Sequence, residues 1–143
     1  MPLELREQLD ELREWEIKNY NAGRKDTIAF WSLKTPAIIA ASSAGVFAHF
    51  KLTLVSLFVG AIASICVIID GVNPRGMLRN IHMRAVHDIS NLIRRMTSQW
   101  RARSPEANVD RIARRIVKAS QDPCDVIAKY IRDAETALKD SNH

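Results

Sequence analysis

Residues 35–50 read TPAIIAASSAGVFAHF and residues 52–69 read LTLVSLFVGAIASICVII, with Lys51 alone between them. The first run is sixteen residues without a formal charge, the second eighteen. A bilayer-spanning helix needs about 20 predominantly apolar residues, within a range of roughly 17–25. The second run meets that length. The first meets it by extending back through Thr27–Leu33, which sets Lys34 near one interface. Lysine tolerates that place by laying its stem along the helix and keeping its ammonium among headgroups. Phe30 and Trp31 favour the same level. A core helix of a water-facing bundle keeps one polar face, yet Leu54–Ile69 carries no charge at any helical angle. The two runs therefore read as transmembrane helices rather than bundle core. A single helix over Thr27–Ile69 would extend about 65 Å at 1.5 Å per residue, twice a bilayer core. The chain must fold back near His49–Leu52, although no Gly, Pro or Asn marks a turn there.

The whole chain is 143 residues with a net charge of +5, one domain's worth of sequence. Its charge is unevenly spread: −2 over residues 1–26, +2 over 27–69, +5 over 70–103 and zero over 104–143. The apolar middle disfavours a disordered chain, and two cysteines disfavour a disulfide scaffold. The length leaves little room for an enzyme with separate substrate and cofactor domains. The first 26 residues read as a charged amphipathic helix, not a short basic leader. Arg24, Lys25 and Lys34 precede the first span and Arg75, Arg79 and Arg84 follow the second, against Lys51 alone in the connection. That bias places both termini in the cytoplasm of a multi-pass inner-membrane protein, with Cys66 and Cys124 as reduced thiols.

Around the hairpin the periodicity is helical throughout. Leu5, Leu9 and Leu12 form an apolar stripe among Glu4, Glu7, Asp10, Glu11 and Glu14, so the first helix should pack on a partner helix rather than on an anionic leaflet. Asp70-Gly71 ends the second span, and Asn73-Pro74 caps and opens a long helix. Its narrow seam is Leu78, Ile81, Ala85, Ile89, Leu92, Met96 and Trp100. Acidic first helix and basic third helix should be neighbours over a shared apolar seam. Ser104-Pro105 breaks the chain before a helix over about Pro105–Ser120, with Val109, Ile112, Ala113, Ile116 and Val117 buried. Asp122-Pro123 breaks it again before a last helix bearing Val126, Ile127, Tyr130, Ile131 and Leu138. The fold class is all-α: an amphipathic N-terminal helix (1–26), a transmembrane hairpin (27–50 and 52–70) and a cytoplasmic region of three helices (73–143).

Candidate functional residues lie mainly on the hairpin. Ala37, Ala41 and Gly45 recur every four residues, as do Ala40, Ala44 and Ala48, and Ser56, Gly60 and Ser64. Small residues at that spacing let membrane helices approach closely, either closing the hairpin or joining subunits around a pore. In a ring, Ser42, Ser43, Ser56 and Ser64 would face a lumen, with charges at its mouths setting selectivity. Lys34, His49, Lys51 and Asp70 read as membrane-boundary charges. Arg75, Arg79, Arg84, Arg94 and Arg95 are candidates for anionic lipid or a partner protein. Nucleic acid is disfavoured, because no aromatic ladder accompanies the arginines. No nucleophile, base and orienter announce a catalytic pocket, and no phosphate loop or cofactor motif is present. His82 and His87, five apart, do not share a helix face as zinc-binding pairs do, so both read as solvent or interface histidines.

This layout resembles the SLATT superfamily, small two-transmembrane proteins of bacterial conflict systems. The resemblance rests on the charged helix reaching Trp15 and Asn19-Tyr20-Asn21, the basic Arg24-Lys25 before the close-set spans, and the long helix after Asn73-Pro74. It covers about residues 1–100 and brings no residue-level site with it. It implies an oligomeric pore-forming effector of antiviral defence, activated through a nucleotide-sensing partner protein. The alternatives are a membrane-anchored adaptor whose cytoplasmic helices bind a partner, and a helical bundle without a membrane anchor.

Overall fold

A computed structural model describes residues 1–72, 75–104 and 108–140, with the side chains of residues 70–72 excepted. The described chain is all-helical: α1 (Leu3–His49), α2 (Thr53–Val72), α3 (Arg75–Arg101) and α4 (Val109–Asp140). The expected division at residues 26 and 27 does not exist. α1 runs unbroken for 47 residues, about 70 Å at 1.5 Å per residue. Nothing near Asp26 and Thr27 stops a helix, and Thr27 donates its hydroxyl to the Gly23 carbonyl at 2.7 Å within it. Pro36 lies inside the same helix.

The reversal falls where the charge of Lys51 put it. Lys51 takes φ 62°, its N–H bonds the Ala48 carbonyl at 3.1 Å, and the Leu52 N–H bonds the Phe47 carbonyl at 2.9 Å. That pair of bonds around a left-handed residue is the Schellman ending of a helix. A lysine holds the position glycine usually takes, which is why no turn residue signalled it. α2 then returns along α1, presenting Ser56, Val59, Gly60, Ala63 and Cys66 to Leu33, Ala37, Ala40, Ala44 and Phe47, the less exposed residues of each helix. Ser56 crosses the gap and donates to the Ala44 carbonyl at 3.0 Å.

The N-terminal half of α1 lies in a bundle with α3 and α4. Leu5, Leu9 and Leu12 meet Ala85, Ile89, Leu92, Met96 and Trp100 of α3 and Ala113, Ile116 and Ile127 of α4. The expected seam of α3 is buried from Ile81 to Trp100, and the acidic and basic helices are indeed neighbours. Close approach depends on two glycines. A Cβ on Gly23 would sit 3.2 Å from Met83 Sδ and 3.3 Å from His82 Cβ, and one on Gly76 would sit 3.0 Å from the Phe30 ring.

Two further boundaries differ from expectation. α4 starts at Val109, not Pro105, with Asn108 Oδ1 accepting from the Arg111 N–H at 3.0 Å as an N-cap. It also continues through Pro123, so the region after the hairpin holds two described helices, not three. A mid-helix proline costs about 3 kcal/mol. Here one face at 3–4 spacing, Ala113, Ile116, Ser120, Cys124, Ile127 and Ile131, packs inward on both sides of the proline, and that burial offsets the lost bond. Val109 and Val126, expected inside, are 42% and 67% exposed. α2 continues two residues past Asp70. The expected signals at Asn73-Pro74 and at Pro105 lie outside the described residues.

Ile89 is fully buried, so Ile89→Ala should lower unfolding stability by about 2–5 kcal/mol. Lys51→Gly, by removing the steric cost of a left-handed lysine, should raise it by about 1 kcal/mol. Thermal or urea unfolding of the chain checks both signs.

Candidate functional site

The hairpin is apolar on the outside. Leu54, Phe58, Leu57, Val67 and Ile68 of α2 are 63–77% exposed, and Ile38, Ile39 and Val46 of α1 are 53–63% exposed. The bundle half buries Leu5, Leu9, Leu12, Ile89, Leu92, Met96 and Ile116, although Ile17, Tyr20, Met83 and Val126 are exposed there. Among the described residues no helix is long and apolar enough to cross a membrane. The uncharged part of α2, Thr53–Ile69, rises about 25 Å against a hydrocarbon core of about 30 Å. The matching part of α1 carries Lys34 and Pro36.

The small residues divide between two roles. Ala37, Ser56 and Gly60 are half-buried between the helices, whereas Ala41, Gly45 and Ser64 are exposed. A Cβ on either Gly45 or Gly60 would meet nothing within 4 Å, so hairpin packing does not demand glycine at either place. The serine hydroxyls are already engaged with backbone. Ser42 donates to the Ile38 carbonyl, Ser43 to that of Ile39 and Ser64 to that of Gly60, at 2.8–2.9 Å. Ser56 faces α1 and donates to the Ala44 carbonyl.

The boundary charges sit at opposite ends of the hairpin. Lys34 Nζ lies 5.1 Å from the Phe30 ring centroid, and Phe30 meets Trp31 edge-on at 5.5 Å, an arrangement suited to a membrane–water boundary. His49 and Lys51 occupy the tip. The side chain of Asp70 lies outside the described set. The arginines do not form one band. Arg75 and Arg79 stand at the hairpin base, and Arg84 lies over the Tyr130 ring at 5.0 Å. Arg94 and Arg95 are exposed about 29 Å further along α3. There Arg94 and Arg101 flank Thr97 and Ser98 in a shallow groove.

Where hairpin meets bundle, the structure assembles a polar joint that composition and motif did not reveal. Asp26 is buried and accepts from Arg75 Nη1 at 2.9 Å. His82 Nδ1 lies 3.2 Å from Asn19 Oδ1. The Asn19 amide nitrogen donates to the Trp15 carbonyl at 3.0 Å, which leaves its oxygen facing the His82 ring. On the other ring edge Nε2 faces Asp26 at 3.8 Å and Glu135 of α4 at 4.0 Å. One histidine of α3 thereby touches both α1 and α4. His82 is an interface histidine, and among the described residues no group of three potential ligands could hold a metal. A signal for this joint existed. Asn19, Gly23 and Asp26 continue the 3–4 spacing of Leu5, Leu9 and Leu12, putting polar residues on a face that had been apolar. Comparison with family models, curated proteins and solved structures returns no match.

Asp26→Asn keeps the shape but removes the charge beside Arg75, and should cost about 1–3 kcal/mol; a double-mutant cycle with Arg75→Gln should recover part of that loss. In α4, burial and then the neighbouring Asp125 charge push the Cys124 thiol above its ordinary pKa. Its alkylation by iodoacetamide should need a higher pH than that of a free cysteine, because the thiolate is the nucleophile.

Proposed function

We propose that this protein is a two-transmembrane effector whose hairpins enter a bilayer, assemble and open a pore when a signal reaches the helical bundle. The observation that carries the reading is the inverted polarity of the hairpin, apolar outward where the bundle is apolar inward. Exposed apolar surface on this scale marks a membrane or protein contact. Lipid is the solvent such a hairpin fits, with Trp31 and Lys34 at one interface and His49 and Lys51 at the other. The short uncharged length of α2 is met by local thinning and by the snorkelling of flanking lysines. Both ends of the hairpin then face the side rich in Lys and Arg, the cytoplasmic side of a cell membrane. The resemblance to the SLATT superfamily supports the pore, an antiviral role and a nucleotide-sensing partner protein.

A second reading has an observation of its own. The hydroxyls of Ser42, Ser43 and Ser64 are spent on their own helix backbone, and Ser56 is held inside the hairpin. A hairpin with so few free polar groups fits a tether, on which α3 and α4 serve as an adaptor surface for a partner protein.

Alkaline carbonate washing should leave the chain in the vesicle pellet, and its release to the supernatant overturns membrane insertion. Induced expression should collapse the signal of a membrane-potential dye, and an unchanged signal counts against the pore. Exchanging α2 and residues 31–49 for an unrelated transmembrane hairpin separates the two readings: a pore loses activity, whereas an adaptor keeps it.

A further inference from the structure

The end of the bundle away from the hairpin carries opposite charges on the outward faces of two different helices. On α1, Glu4, Glu7 and Glu11 are exposed. They fall within an arc of about 60° at 100° per residue, on the side away from the buried Leu5, Leu9 and Leu12. The charges around them are spent locally: Asp10 pairs with Arg6 and Arg13, and Glu14 with Lys18. On α3, Arg94 and Arg101 are exposed on the side away from Leu92 and Met96. No acid shares that side, because Asp88, toward α4, is the only acid of the helix. Among the described residues, none of these three glutamates and two arginines has an opposite charge within 4.0 Å.

The register of the two helices sets these groups at one level. Asp26 meets Arg75 and Asn19 meets His82. Continued to the start of α1, that antiparallel pairing puts Glu7 level with Arg94, Leu3 level with Ser98, and Glu4 between Arg94 and Arg101. Leu3 lies beside Glu7 on α1 and is 70% exposed. At its level α3 offers a shallow groove of Ile93, Thr97, Ser98 and Ala102, flanked by Arg94 and Arg101. One chain cannot join these features, because its own α1 and α3 lie side by side and turn these faces outward in different directions. A second copy standing in the same direction can. Its Leu3 enters the groove while its Glu7 and Glu4 meet Arg94 and Arg101. The contact is then head-to-tail, each copy offering α1 on one side and α3 on the other, and repetition closes a ring or extends a row.

We propose that the first turns of α1 dock on the Arg94–Arg101 groove of a neighbouring copy, Leu3 supplying the apolar contact and Glu4 and Glu7 the charge. The inference rests on the assembly step of the functional reading and not on bilayer insertion. Its test uses two differently tagged full-length chains, both with Cys66→Ala and Cys124→Ala, one carrying Leu3→Cys and the other Ser98→Cys. Oxidation by copper phenanthroline in cells broken without detergent should give a mixed disulfide of the two tags. Arg114→Cys, on the outward face of α4, should give little when it replaces Ser98→Cys. Glu4→Lys with Glu7→Lys on the first chain should reduce the mixed band at least about fivefold, because like charges then face each other. Adding Arg94→Glu with Arg101→Glu to the second chain should restore it, which also shows that both chains fold. Absence of the band with Ser98→Cys, an equal band with Arg114→Cys, indifference to the glutamate reversal, or failure of the arginine reversal to restore the band overturns the proposal. Carbonate extraction of the same cells is read separately. A mixed band on a chain that washes off keeps this contact and rejects membrane insertion; no band on a retained chain does the opposite.

Discussion

One face of α1, repeating at steps of three and four residues from Leu5 to Phe47, meets every other helix of the molecule. At its N-terminal end it carries leucines and packs on α3 and α4. In the middle it carries Asn19, Gly23 and Asp26 and meets His82 and Arg75. Toward the tip it carries Ala37, Ala40, Ala44 and Phe47 against α2. The three zones lie on one continuous helix, and each neighbour's place follows from the zone it touches.

The middle zone separates two kinds of packing. Above it the Leu5–Leu9–Leu12 stripe and the α3 seam are buried; below it Ile38, Ile39, Val46 and the outer residues of α2 are exposed. A buried carboxylate is tolerated only with a partner, and Arg75 supplies one from the first turn of α3, directly after the hairpin. The same carboxylate lies 3.8 Å from His82, which also faces Glu135 of α4. The joint thus links the helix that enters the hairpin, the helix that leaves it, and the last helix of the chain.

Helical type, the two apolar runs, the reversal at Lys51 and the seam of α3 were legible because each rests on local periodicity or charge. The joint was less so. Its members come from residues 19, 26, 75, 82 and 135, and their types alone do not say that they meet, although the polar interruption of the Leu5–Leu9–Leu12 spacing marks where a partner was needed. The exposure of Ile17, Tyr20, Ile28 and Trp31 was hidden for a different reason. They are apolar residues on an amphipathic helix, and sequence does not tell which of its apolar residues the fold will cover.

Composition and spacing by themselves determined an all-helical chain, an uncharged hairpin and a basic flank after it, since these follow from side-chain chemistry taken a few residues at a time. Only the tertiary structure decided that α4 survives Pro123. Proline and polar residues disfavour a helix locally, but the energy gained by packing one continuous face on distant partners outweighs them, and those partners exist only once the chain has folded.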